Sequence, residues 1–146
     1  MMDPINSFLQ EIVFNSNFSR LKSIGIIGII SGDEFLSQFL QLTKLKLQET
    51  PDFFHTLERL EINGTVIQNE ETHSILSELI LLLPNLKMIH LLGTSIGENL
   101  DLYVQCLKKP NIQSLDLQYN GLTANTIAAC FKHIVNFDTL VSLNLS

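Results

Sequence analysis

The most constraining feature of the chain is a spacing of apolar residues that occurs four times. The stretch IQSLDLQYNGL places apolar residues at 112, 115, 117 and 122. The same spacing starts at Leu57, Leu86 and Leu140, so the four starts are separated by 29, 26 and 28 residues. In L-x-x-L-x-L the last two apolar residues share one face of a short strand, which cannot bury that face alone. The repeated units must therefore pack against one another.

The segments between these motifs have the spacing of amphipathic helices. Residues 69–83 and 123–135 carry apolar side chains at three- and four-residue steps. Pro84 and Pro110 lie just before two of the motifs, where a proline ends a helix and an extended residue follows. Each unit is therefore predicted to run through a strand, a turn, a helix and a return.

The residue after each strand is predicted to hold the turn together. Asn120 occupies this position in the third unit, where its amide can satisfy backbone groups that the turn leaves unpaired. Thr65 and Thr94 take the equivalent positions and have only a hydroxyl group. Looser turns are therefore expected after the first two strands.

These motifs resemble the repeats of the leucine-rich-repeat family, and their lengths are similar to those of its longer, helix-containing class, typified by ribonuclease inhibitor. The resemblance implies an α/β fold: a right-handed solenoid with a parallel β-sheet on the concave face and helices on the convex face. Residues 19–146 would hold about five to six repeats, the last one truncated. Residues 1–18 are predicted to form an N-terminal capping helix, with Asp3-Pro4 at its start.

The segment before Leu57 is less regular. Leu21, Ile24 and Ile26 fit the strand motif, and so do Leu42, Leu45 and Leu47. We predict a strand over 42–47, because residues 43–47 alternate with period two. The alternative is that DEFLSQFLQLTKLKLQ forms one helix and that 21–57 is a single long repeat.

Composition excludes several classes of function. The 146 residues are 45% hydrophobic, which favours one ordered domain. A net charge of −6 with no basic cluster argues against a nucleic-acid partner. No apolar run has membrane length, and a secretory leader is not evident, so no membrane insertion is expected. Cys106 and Cys130 show no disulfide or metal-ligand pattern, which favours a cytoplasmic location.

Strand residues that alternate with the buried positions should form columns about 4.8 Å apart on the concave surface. The first column should read Gly25, Lys46, Glu61, His90, Asp116 and Asn144. Met88 and Leu92 flank His90 as apolar candidates for contact with a partner. The candidate partner-binding residues are Lys46, Arg59, Glu61, Met88, His90, Leu92, Ser114, Asp116, Gln118 and Tyr119.

His90 between Glu61 and Asp116 is the one arrangement that suggests chemistry. Two carboxylates beside an imidazole could hold a metal ion or orient a base, and Ser114 is near enough to suggest a triad. An exposed ladder of compatible charges explains the same pattern, and nothing in the sequence supplies an oxyanion hole. We therefore predict no catalytic residues, no metal site and no cofactor.

The function expected from the resemblance is binding of another protein through the concave sheet. The alternatives are a regulator or activator of a small GTPase, which would need a catalytic arginine on a loop after a strand, and the substrate-recognition part of a ubiquitin ligase. Composition and irregular repeats also resemble effectors that bacterial pathogens deliver into the host cytosol. Because Ser146 falls inside a motif, we expect either a fragment of a longer protein or self-association through the open C-terminal end.

Overall fold

The computed structural model describes residues 20–27, 33–133 and 139–146. The strands are β1 (Ser23–Ile27), β2 (Arg59–Asn63), β3 (Met88–Leu92), β4 (Ser114–Asp116) and β5 (Ser142–Asn144). The helices are α1 (Asp33–Glu49), α2 (Glu70–Leu82), a 3₁₀ helix (Gly97–Tyr103), α3 (Val104–Leu107) and α4 (Ala124–His133). The predicted capping helix, residues 1–18, lies outside the described residues.

The five strands form one parallel sheet in the order of the sequence, β1-β2-β3-β4-β5. Helices connect the strands, as parallel neighbours require. The α/β class and the parallel sheet predicted from the motif are confirmed.

Apolar positions of the motif lie in register across the sheet. Leu60 pairs with Ile89, Ile89 with Leu115, and Leu115 with Leu143. The first three are buried, and Leu143 on the last strand is partly buried. The same core holds buried helical side chains, among them Leu36, Leu40, Leu76, Leu79, Ile80 and Tyr103. The helices therefore cover one face of the sheet and leave the alternate strand residues on the other.

A repeated backbone contact sets the start of each strand. The carbonyl oxygen of Lys22 accepts the N–H groups of Glu58 and Arg59, at 2.8 and 3.0 Å. The carbonyls of Glu58, Lys87 and Gln113 each accept two consecutive N–H groups from the next strand in the same way. Four equivalent contacts fix the same register four times, so the outward residues fall into columns.

The prediction of a strand over 42–47 is wrong, because this segment lies inside α1. Leu45, which a strand would bury, is 50% exposed. The residues that α1 buries follow helical steps instead: Leu36, Leu40, Thr43 and Leu47. The alternative of one helix between 21 and 57 is confirmed, and it removes Lys46 from the sheet.

Candidate functional site

We call the side of the sheet away from the helices the sheet face. Its residues are Ser23, Gly25, Arg59, Glu61, Asn63, Met88, His90, Leu92, Ser114, Asp116, Ser142 and Asn144 on the strands, and Gln118, which follows β4 and binds Asp116. The predicted columns are confirmed for the strand residues, since Glu61 pairs with His90 and His90 with Asp116. Of the ten candidate residues, Lys46 alone lies on a helix, because α1 replaces the strand expected there.

The polar side chains of the sheet face bind one another. Arg59 pairs with Glu61, with Nη2 and Oε2 3.3 Å apart. The Nε2 atom of His90 lies 2.9 Å from the Ser114 hydroxyl oxygen. Asp116 accepts hydrogen bonds from the backbone and side-chain nitrogens of Gln118, at 3.1 and 2.9 Å. These contacts fix the side-chain orientations before any ligand arrives.

The contact between His90 and Ser114 joins a base to a hydroxyl group, and the neighbouring carboxylate of Asp116 binds Gln118. Both oxygens of Asp116 are engaged by Gln118, and the backbone N–H of Ser114 donates to Lys87 O at 3.1 Å. Within the described residues, no group of three or more His, Cys, Asp or Glu residues is placed to hold a metal ion. The arrangement is one of oriented polar side chains.

Two apolar side chains lie among these polar groups. Met88 and Leu92 are on either side of His90 along β3, the central strand, and both are half-buried. They point away from the core, since Ile89 and Leu91 between them are fully buried. The middle strand of the sheet face therefore presents two apolar side chains, with His90 between them and the paired polar groups on the neighbouring strands.

The turn at one end of the sheet is organised by Asn120, as the sequence predicted. Its Oδ1 accepts from the Thr94 N–H, the Thr94 hydroxyl and the Ile96 N–H, at 2.9, 2.9 and 3.1 Å. Its Nδ2 donates to the carbonyl oxygens of Leu91, Leu117 and Gln118, at 2.5, 3.0 and 3.1 Å. One buried amide thus joins the turns after β3 and β4.

The threonines at the equivalent turn positions differ from each other. Thr94 is bound by Asn120, so its turn is held from the neighbouring unit. The Thr65 hydroxyl is buried and has no hydrogen-bond partner among the described residues. The turn after β2 therefore lacks the side-chain hydrogen bond that Asn120 gives to Thr94, and the looser turns expected from the sequence stay a prediction.

Tyr119 has a backbone conformation that its sequence did not reveal. Its φ is 61°, while Gly64 and Gly93, at the same position after β2 and β3, have φ of 77° and 62°. A left-handed conformation disfavours a bulky residue, yet the Tyr119 side chain is 75% exposed and gains little from the core. The two glycines in equivalent positions are the signal that would have identified it.

A buried polar contact that sequence analysis missed lies between α2 and the 3₁₀ helix. His73 Nε2 is 3.2 Å from the Ile67 carbonyl, which can only accept, so this nitrogen carries the proton. His73 Nδ1 lies 2.6 Å from the Tyr103 hydroxyl oxygen, and the two rings meet edge to face. Burial raises the pKa of Tyr103 above its ordinary range, and Cys106 adds to the rise. The pair connects two neighbouring units inside the core.

The end of α2 is held by a lysine from the next unit. Lys109 Nζ donates to Ile80 O at 2.9 Å and also to Leu83 O. Cationic groups stabilise the carbonyl end of a helix. Burial lowers the pKa of Lys109 and raises the pKa of the Cys106 thiol to about 12.

No protein-family model matches the sequence, and no match was found among curated proteins. Among the helices that the structure describes, none combines the length and apolar character needed to cross a bilayer.

Proposed function

We propose that the chain is a leucine-rich-repeat recognition module that binds a partner protein through the sheet face and has no catalytic activity of its own. Five parallel strands with one register, joined through helices on one side, support this assignment. So does the amide of Asn120 at the position where the repeat pattern has asparagine.

The observation that carries the proposal is the chemistry of the sheet face. Six of its polar side chains are already bound to each other in three pairs, so few of them need to become ordered when a partner docks. Met88 and Leu92, on either side of His90 on the middle strand, offer apolar area whose burial favours association. A fixed face with apolar side chains on its middle strand and paired polar groups beside them suits a folded protein surface.

Tyr119 extends this surface beyond the end of β4. An exposed tyrosine kept in an unfavourable backbone conformation has no evident role in stability. Tyrosine is also enriched among the residues that contribute most to protein interfaces. We therefore place Tyr119 in the contact surface, together with the sheet face.

The GTPase-regulator alternative is weakened by Arg59, which lies within β2 and pairs with Glu61. Recognition of a ubiquitin-ligase substrate would use the same sheet face and is one form of the proposal. We also propose a cytoplasmic site of action, in the host cytosol if the chain is a bacterial effector; the buried free thiol of Cys106 suits such a location.

The test compares proteins retained from a cell lysate by three forms of the chain. The first is the wild type, and the second carries Met88→Asp, His90→Asp and Leu92→Asp. The third carries the same number of new carboxylates on the helices, at exposed leucines: Leu45→Asp, Leu81→Asp and Leu82→Asp. Circular dichroism establishes that all three are folded.

We expect partners retained by the wild type and the helix variant to be lost by the sheet variant. Affinity for a purified partner should fall by about 30-fold, or about 2 kcal/mol, when charges replace Met88 and Leu92. Equal retention by all three forms contradicts the proposal. Loss with the helix variant alone would move the interface to the groove between α1 and α2, which Gln41, Lys44 and Glu71 help to line.

A further inference from the structure

The last strand of the described sheet, β5, buries its apolar residues less well than the strands before it. Leu115 on β4 is 2% exposed, whereas Leu143, its register partner on β5, is only partly buried. Leu140 and Leu145 are also only partly buried, and Val141 is 85% exposed. The apolar side of this strand is thus partly open to solvent.

The backbone of β5 offers hydrogen bonds at its outer edge. Ser142 N donates to Gln113 O, and Asn144 O accepts from Leu117 N, so these two residues face β4. Because successive residues of a strand alternate in direction, the N–H and C=O groups of Leu143 and Leu145 point away from β4. Among the described strands, β5 pairs with β4 alone. An edge of this kind is a template for another strand.

The sequence of this edge is a palindrome. Residues 142–146 read Ser-Leu-Asn-Leu-Ser in both directions. Antiparallel pairing of two copies around Asn144 therefore matches Leu143 with Leu145 and Ser142 with Ser146. All four leucines of the two copies then lie on the core side, and the polar residues lie on the sheet face. A two-fold axis produces such a self-matching contact.

Charge also favours a second copy at this edge. The chain has a net charge of −6, yet residues 117–146 contain one lysine and one aspartate, Lys132 and Asp138. The excess negative charge therefore lies in residues 1–116. Edge strands that resist pairing carry lysine or proline, and residues 142–146 have neither. Two copies that meet at β5 bring uncharged strands together, with Asp116, the register partner of Asn144 on β4, one strand behind the edge in each copy.

We propose that two copies of the chain pair through β5, antiparallel and centred on Asn144, to form one ten-stranded sheet. The dimer continues the sheet face of one copy into that of the other. Asn144 and its symmetry mate form a pair that is not hydrogen-bonded through the backbone, with Cα atoms about 4.5 Å apart. A charge placed on both copies at this position meets a like charge directly.

Sedimentation equilibrium of the 146-residue chain, over a wide concentration range, tests the pairing. The wild-type mass should rise from 16.5 kDa toward twice that value. Asn144→Lys and Asn144→Asp should each weaken association by about fivefold or more, because like charges directly opposite are destabilising. An equimolar mixture of the two variants should restore the dimer, since it places opposite charges together.

The matched control is Asn63→Lys, at a half-buried position on the same face of β2, which should associate like the wild type. Thermal melting followed by circular dichroism shows whether each variant is folded. A wild type that keeps the monomer mass at every concentration overturns the proposal. So does a dimer that Asn144→Lys leaves unchanged, or a mixture of charged variants that stays monomeric.

Discussion

Replacement of Asn120 by alanine tests the part of the fold that depends most on one side chain. The amide is buried and bridges the turns after β3 and β4. Its oxygen accepts from the N–H groups of Thr94 and Ile96, and its nitrogen donates to three carbonyl oxygens. Alanine supplies none of these bonds.

The cost follows from the groups left without a partner. Two backbone N–H groups lose this acceptor in the interior, and each unsatisfied buried group costs about 1–3 kcal/mol. The carbonyl oxygens of Leu91, Leu117 and Gln118 also lose a donor. Each has a second lone pair, and the backbone there can adjust slightly, so this loss adds less to the cost. We therefore expect Asn120→Ala to lower the free energy of unfolding by about 3–5 kcal/mol, a large part of the total for a small domain.

Urea denaturation of Asn120→Ala, followed by circular dichroism, measures this loss. Asn111→Ala, on the exposed turn before β4, is the control and should change stability by less than about 0.5 kcal/mol. Asn120→Asp keeps the acceptor but turns a carboxylate oxygen toward three carbonyls, so it should regain stability as the pH falls and the group becomes protonated. A loss below about 1 kcal/mol for Asn120→Ala would show that the amide does not hold these two turns together.

Three further predictions concern single side chains. Tyr119→Gly should stabilise the fold by about 0.5–1 kcal/mol in urea denaturation, since glycine removes the left-handed strain at some entropic cost; a destabilised variant would contradict this. Lys109→Met should lower the free energy of unfolding by about 1–2 kcal/mol in the same assay, because the end of α2 loses its cation. The control Lys108→Met should leave the free energy of unfolding nearly unchanged. Equal effects of the two substitutions would argue against the contact of Lys109 with α2. The pKa of Cys106 rises from 9.0 to about 12, so the folded state keeps a proton that the unfolded chain loses, and stability falls as the pH rises through this range. Under reducing conditions, the stability difference between wild type and Cys106→Ala should therefore shift by about 1.4 kcal/mol between about pH 8 and 10, and a constant difference would contradict the assignment.

The strands and their register could be predicted because the motif determines both. Two apolar residues separated by one polar residue identify the buried side of a strand, and equal spacing aligns successive strands. Leu60, Ile89 and Leu115 therefore pair as expected, and Glu61, His90 and Asp116 follow them. The sequence did not predict which polar groups bind each other, since that depends on side-chain rotamers rather than on register.

The error at 42–47 has a physical cause. Five alternating residues fit a strand, but the helical spacing extends from Leu36 through Leu40 to Leu47. A helix of 17 residues buries all three of these leucines, whereas a strand over 42–47 would have buried Leu45 and Leu47 and left Leu36 and Leu40 outside it. The helical spacing over residues 36–47 is the stronger signal, because it covers twelve residues and the alternation over 43–47 covers five.

The contacts that sequence analysis missed join residues far apart in the chain. His73 meets Tyr103 from a position 30 residues away, and Lys109 reaches the end of α2 from the next unit. Neither residue belongs to the repeated motif. Such contacts follow from how neighbouring units stack, which spacing along one unit does not specify.

Site-specific photo-crosslinking tests the proposed binding face most directly. A photoreactive amino acid replaces Met88 in one protein and the half-exposed Leu45 on α1 in another, and both are irradiated with a partner. We expect a covalent adduct with the partner from position 88 and none from position 45. An adduct from position 45 alone would contradict the proposed binding face, because the partner would then bind the helices.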